Sequence, residues 1–157
     1  MRRSGFVFLV LAFCLCLLGC GQSSQNKKEV LRRSFYNTIW ERFDYVNNDI
    51  EITASTTYDL NMRISFTDDY PYKDFSMIFT VFDSKGNPYR SKAYKFNLKD
   101  GDDHWNAEKK DGCYTFTLPI NKQLTISDPG KYQFRIEQTQ PITPLEGVKE
   151  LVLMNEN

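Results

Sequence analysis

Apolar and polar residues alternate along much of this chain with the period of two that marks a β-strand with one wet face. Leu60, Met62, Ile64 and Phe66 alternate with Asn61, Arg63, Ser65 and Thr67. Tyr94, Phe96 and Leu98 alternate with Lys95 and Asn97, and Tyr114, Phe116 and Leu118 with Thr115 and Thr117. Tyr132, Phe134 and Ile136 alternate with Gln133, Arg135 and Glu137. Phe75 to Phe82 is apolar on both faces, which predicts a central strand, and Val148 to Met154 predicts a last one. The segments 83–88 and 128–130 are turns, with Gly86 free to take positive φ. No segment after residue 45 has a helical period. About seven to eight short strands separated by turns predict an all-β fold, a single antiparallel β-sandwich. A partly closed barrel is the alternative. There is no internal repeat and no sign of a second domain.

The first residues follow another rule. Arg2 and Arg3 precede an unbroken apolar and small run from Phe6 to Leu18. Those thirteen residues rise only about 20 Å as a helix, short of the roughly 20 residues that a membrane span needs. This is the pattern of an export signal. Its end, Leu17-Leu18-Gly19-Cys20, resembles a bacterial lipobox, where small residues precede a cysteine that is lipidated and becomes the first residue after cleavage. The expectation is cleavage between Gly19 and Cys20 and lipid attachment at Cys20. An ordinary signal peptide with a chance cysteine is the alternative. Two or three acyl chains on one residue bind a bilayer far more firmly than the single chain that gives only marginal attachment. Residues 1–19 are thus read as a signal peptide, 20–33 as the lipidated cysteine and a flexible polar tether, and 34–157 as the sandwich domain.

Removing nineteen residues from 157 leaves 138, enough for one domain with a sizeable core. The whole chain has 20 basic and 20 acidic residues; two basic ones leave with the signal, so the remainder carries a net −2. Nothing in that balance points to nucleic acid. Cys14 and Cys16 leave with the signal and Cys20 is committed to lipid. Cys113 is then alone, so no internal disulfide can staple the fold, and it is read as a small buried hydrophobe.

Most catalytic signatures are missing. With His104 the single histidine, a multi-histidine metal site is impossible. There is no nucleophile elbow, P-loop or dinucleotide fingerprint. The run Asp100-Gly101-Asp102-Asp103-His104-Trp105 could offer oxygen ligands to calcium, but it puts Trp105 where an EF-hand needs glycine and Asp111 where it needs glutamate. It reads instead as an exposed acidic turn, as do Asp68, Asp69 and Asp74. No enzyme activity, cofactor, metal or small-molecule substrate is expected. Trp40, Trp105, Tyr70, Tyr72 and Tyr89 raise the possibility of sugar stacking. The leading candidates for a ligand or partner contact are Trp105, Tyr70 and Tyr72, although Trp105 reads more readily as a plug over the core.

Several of these segments, in this order, resemble the GldH-type gliding-motility lipoproteins of the Bacteroidetes. They are Cys20, the segment Tyr70-Pro71-Tyr72-Lys73-Asp74-Phe75 leading into the central strand, the Gly86 turn, and Trp105 in the following polar loop. The run from Gly130 to Gln138 and Leu145-Glu146-Gly147-Val148 complete the set. The loop around Trp105, DHWNAEKKDG, departs from the pattern in having less glycine. The resemblance implies a small lipoprotein linked to gliding and to type IX secretion, with envelope proteins as partners and no catalytic residues. It also implies an address. Gly21-Gln22-Ser23-Ser24-Gln25 lacks the acidic residues that follow the cysteine in surface-exposed lipoproteins of that phylum, so the periplasmic side of the outer membrane is expected. The function expected is a non-enzymatic structural or accessory part of an envelope complex; a glycan-binding module using Trp105 and nearby tyrosines is the alternative.

Overall fold

The computed structural model describes residues 28–157. Among them are nine strands: β1 (Lys28–Ser34), β2 (Val46–Ile52), β3 (Thr56–Phe66), β4 (Asp74–Phe82), β5 (Pro88–Asn97), β6 (Lys109–Lys110), β7 (Cys113–Ile126), β8 (Gly130–Gln138) and β9 (Val148–Asn155). A short 3₁₀ turn, Tyr36–Thr38, follows β1. The strands form two antiparallel sheets of order β1-β9-β3-β7-β6 and β2-β8-β4-β5, packed as a β-sandwich.

The alternation read from the sequence sets which faces meet. In β3, Leu60, Met62, Ile64 and Phe66 are fully buried. Opposite them lie Phe75, Met77, Phe79 and Val81 of β4 and Phe134 and Ile136 of β8, all buried. Rings interlock across the gap: Tyr58 meets Phe134 edge-on at 5.3 Å, and Phe66 meets Phe75 at 5.7 Å. Each such side chain contributes about 1.5–3 kcal/mol by leaving water, and with no disulfide among the described residues this core carries the fold. Cys113 is itself buried. The central strand β4 is flanked by β8 and β5, which accounts for its apolar run.

The sheet begins earlier than the sequence indicated. Residues 28–33, read as tether, belong to β1, which pairs antiparallel with β9 from Lys28–Asn155 to Ser34–Glu150. As an edge strand, β1 buries only Leu31 fully, and a bulge between Glu29 and Leu31 breaks its register. An apolar pair in a charged stretch gives no periodic signal. β2 was hidden for a similar reason: it lies at the opposite edge of its sheet as Val46-Asn47-Asn48-Asp49-Ile50-Glu51-Ile52, with a polar majority.

The strand directions divide the connections between two ends of the sandwich. Segments 35–45, 67–73, 98–112 and 139–147 all lie at the end where β1, β3, β5 and β8 finish. The short turns 53–55, 83–87 and 127–129 lie at the other end, beside the start of β1 and the finish of β9. At about 3.3 Å per residue, the seven residues of β1 alone put roughly 23 Å between the two ends.

Candidate functional site

The four long connections are locked to one another. Trp40 and Leu145 exchange backbone hydrogen bonds, tying 35–45 to 139–147. The Thr67 N–H donates to the Gly147 carbonyl at 2.9 Å, and Lys73 Nζ donates to the Gly101 carbonyl at 2.8 Å. Tyr70 is the hub. Its hydroxyl donates to the Asp74 carbonyl at 2.7 Å and accepts from Gln140 Nε2 at 2.8 Å. The same Gln140 amide donates to the Asp74 carbonyl. The Tyr70 carbonyl accepts from Lys99 Nζ at 3.3 Å. Burial pushes the Tyr70 phenol well above its ordinary pKa, so it stays protonated and keeps donating.

Gly147 is pressed against this hub. It has φ +78°, and a Cβ there would stand 2.3 Å from the Tyr70 nitrogen and 2.6 Å from its Cα. Only glycine supplies both the left-handed backbone and the missing side chain.

Tyr70 is therefore not the surface contact that the sequence suggested: it is 1% exposed. Hydrogen bonding to Gln140, seventy residues away, and packing against the tilted Phe66 ring at 4.4 Å withdraw it from solvent. Tyr72 is half-buried, packs edge-on against Tyr70 at 5.9 Å, and its hydroxyl accepts the Ile142 N–H at 3.2 Å. Trp105 is half-buried too. It stacks on Tyr114 at 4.3 Å and 10°, touches Phe66, Tyr70 and Phe116, and has Lys99 Nζ 4.6 Å from its ring centre. The partners that stack on it are the protein's own, so it acts as a plug over the core. Trp40 is 1% exposed, stacked on Phe35 at 4.7 Å. These aromatics form no exposed flat strip on which a sugar could lie.

The acidic loop has an internal role as well. The Asp100 carboxylate accepts the N–H groups of Asp102 and His104, both at 2.9 Å, and lies 3.4 Å from His104 Nδ1. Asp68 is engaged by Lys109 and by the Tyr114 hydroxyl, and chiefly the Lys109 bond holds its carboxyl below the usual range. Among the described residues no three His, Cys, Asp or Glu side chains come together in a metal-holding group.

What this end does present outward was not singled out from the sequence. Tyr36 is 87% exposed, Phe43 69% and Ile142 68%. Phe43 sits at φ +64°, and Asn37 and Thr38 at +51° and +59°. A non-glycine residue in this region costs about 1–2 kcal/mol, so the surroundings must impose it. They do: Trp40 anchors the loop in the core, its Nε1 donates to the Asp44 carbonyl at 2.6 Å, and Arg33 Nη2 donates to both oxygens of the Asp44 carboxylate at 2.8 and 3.0 Å. Arg42 lies over the Phe43 ring at 5.1 Å. Beside it a hollow of about 240 Å³ opens against Gln138, Thr139, Pro141 and Thr143. A rigid, strained loop thus holds an aromatic in water next to a polar hollow. No glycine or alternation pattern marks this in the sequence.

The family described as GldH lipoprotein matches residues 31–153, from within β1 to within β9. The chain belongs to the GldH lipoprotein family. A GldH lipoprotein is a membrane-anchored component of the cell envelope, related to gliding motility, and the family is not a known enzyme family. The match covers β2 to β8 whole, parts of β1 and β9, and the four loops of the locked end. Among curated proteins the chain finds no match. Gly19 and Cys20 lie outside the described residues.

Proposed function

We propose that this GldH lipoprotein is a non-enzymatic accessory part of an envelope complex, and that its long-loop end is the surface that docks a partner protein. The observation that carries this reading is the trio Tyr36, Phe43 and Ile142, large apolar side chains held in water on loops that are otherwise tightly bonded. Isolated exposed apolar residues are ordinary, but an aromatic kept out on strained backbone is costly and gains the fold nothing. Aromatic anchors of this kind dominate interface energies.

The polarity of the molecule supports the same reading. With Cys20 as the lipid-bearing residue, freed by cleavage after Gly19, only seven residues separate it from Lys28 at the start of β1. That stretch reaches at most roughly 28 Å. The short-turn end, where β1 begins, then lies nearest the bilayer, and the long-loop end faces away from it. The lack of acidic residues in 21–25 favours the periplasmic face of the outer membrane, and the family favours gliding or type IX secretion components as partners.

The test is a pull-down of the lipidated protein from cross-linked native membranes, read by mass spectrometry, with the deletion strain in parallel. Recovery of a defined set of envelope proteins, and impaired secretion or motility on deletion, is the expected result. A deletion strain with normal secretion, motility and envelope integrity would overturn the reading. Replacing Cys20 with serine should move the protein from the membrane to the soluble fraction; a variant that stays membrane-bound contradicts the anchor assignment.

A further inference from the structure

The open side of the sandwich, away from the loop end, carries a second feature. β5 borders β4 on one side only, and residues 88–93 of its outer edge are exposed. Facing it is β7, whose far side pairs with β6 at Cys113 and Tyr114 and, among the described residues, meets no strand from Thr115 onward. Side chains bridge these two edges. The Tyr94 hydroxyl donates to the Ile120 carbonyl, and the Tyr89 hydroxyl to the Thr125 carbonyl at 3.3 Å. Between them lies a hollow of about 310 Å³ whose rim carries Lys92 and Lys122, with Tyr94, Pro119 and Ile120 as its apolar wall.

The charge on this side has one sign. β5 contains Arg90, Lys92 and Lys95 and no carboxylate; β7 from Thr115 to Ile126 contains Lys122 and no carboxylate. Lys95 is paired with Asp74 at 3.1 Å. Arg90, Lys92 and Lys122 have no ion pair among the described residues. The other long edges differ. On β1, Arg32 is paired with Glu29 and Glu150, and Arg33 with Asp44. β2 carries Asp49 and Glu51 and no basic residue. Lysines on an edge strand discourage pairing with another copy, because like charges would face each other. They do not discourage a strand of opposite charge.

We propose that the β5 edge receives an extended acidic segment of a partner protein as an added strand, with an acidic side chain seated between Lys92 and Lys122. Backbone hydrogen bonds along β5 would supply affinity, and the hollow would select every second side chain. The exposed cations would speed encounter and make binding salt-sensitive. This surface is separate from the long-loop end, so either can fail without the other.

The experiment places a photo-cross-linking amino acid at Ala93, exposed on β5, in the full-length lipidated protein in the cells that produce it, with Asn47 on β2 as control. The cross-linked peptide is sequenced by mass spectrometry. The expected result is an adduct specific to position 93 with an acidic peptide, falling about tenfold in yield when Lys92 and Lys122 are both changed to glutamate. The milder Lys92→Gln, Lys122→Gln pair should give an intermediate yield, and unchanged thermal stability would show that both variants fold. No adduct at position 93, an adduct with lipid or glycan, a peptide without acidic residues, or a yield that survives charge reversal would each overturn the proposal.

Discussion

Three aromatic residues show how context decides a side chain's role. Tyr70 lies in Tyr70-Pro71-Tyr72, which reads locally as an exposed turn, yet it ends up 1% exposed because Gln140 and the Asp74 carbonyl satisfy its hydroxyl. Removing that hydroxyl alone leaves the Gln140 amide short of an acceptor in a buried place. Tyr70→Phe should therefore lower stability by about 1–3 kcal/mol, as measured by denaturant unfolding. No loss would show that the hub is not buried as described. Trp105 is half in water but stacked on Tyr114 and Phe66. Trp105→Ala should destabilise the fold by about 2 kcal/mol, less than the 3–5 kcal/mol of a fully buried tryptophan. A variant of unchanged stability that lost glycan binding would instead revive the sugar-platform reading. Phe43 is the opposite case, and its positive φ has no sequence signature: neither glycine nor asparagine stands there, and the conformation is imposed by Trp40 and Asp44. The inward aromatics are thus partly legible from composition, while the outward one is legible only in the structure.

Elements differ in how far the sequence exposes them. β3, β4, β7, β8 and β9 border a strand on both sides and bury many residues, so their alternation or apolar runs stand out. β1 and β2 are edges whose pairing is settled by β9 and β8, which local pattern does not reveal. Loops behave similarly. The 83–87 turn is readable because it is self-contained: the Asp83 carboxylate accepts the Lys85 and Asn87 N–H groups at 2.9 and 2.8 Å, and Gly86 takes φ +79°. The Asn87 bond chiefly holds the Asp83 carboxyl below its ordinary range. A folded-state pKa below the unfolded one contributes stability above the unfolded value, near 4, and that contribution is lost as pH falls through the lower folded value. An NMR titration of the Asn87 amide should show a midpoint below about 4; a midpoint at or above it would contradict the cap. The 139–147 loop is not self-contained, since Gly147 is required by Tyr70 in another loop. Gly147→Ala combines a left-handed backbone with a backbone clash and should cost at least about 2 kcal/mol. Thermal unfolding within a degree of the parent would show that the two loops do not lock.

At the scale of the whole molecule, the sandwich separates its duties by position. A disulfide-free core holds two sheets, one end gathers short turns and the start of β1, and the other gathers four cross-bonded loops. That end carries outward Tyr36, Phe43 and Ile142. The proposal made for this end is that its outward side chains, unlike the inward Tyr70 and Trp105, serve recognition and not stability, and Phe43 separates the two. Phe43→Gly removes the exposed ring and relieves the left-handed strain, so unfolding should occur at the same or a higher temperature, by up to about 1–2 kcal/mol of added stability. The most direct measurement is therefore the set of envelope proteins captured from cross-linked membranes by Phe43→Gly beside the parent protein, with both thermal melts in hand. A variant at least as stable as the parent that loses its captured partners is the predicted result. A variant that captures the same partners in the same amounts, or one that simply unfolds earlier, would contradict the account.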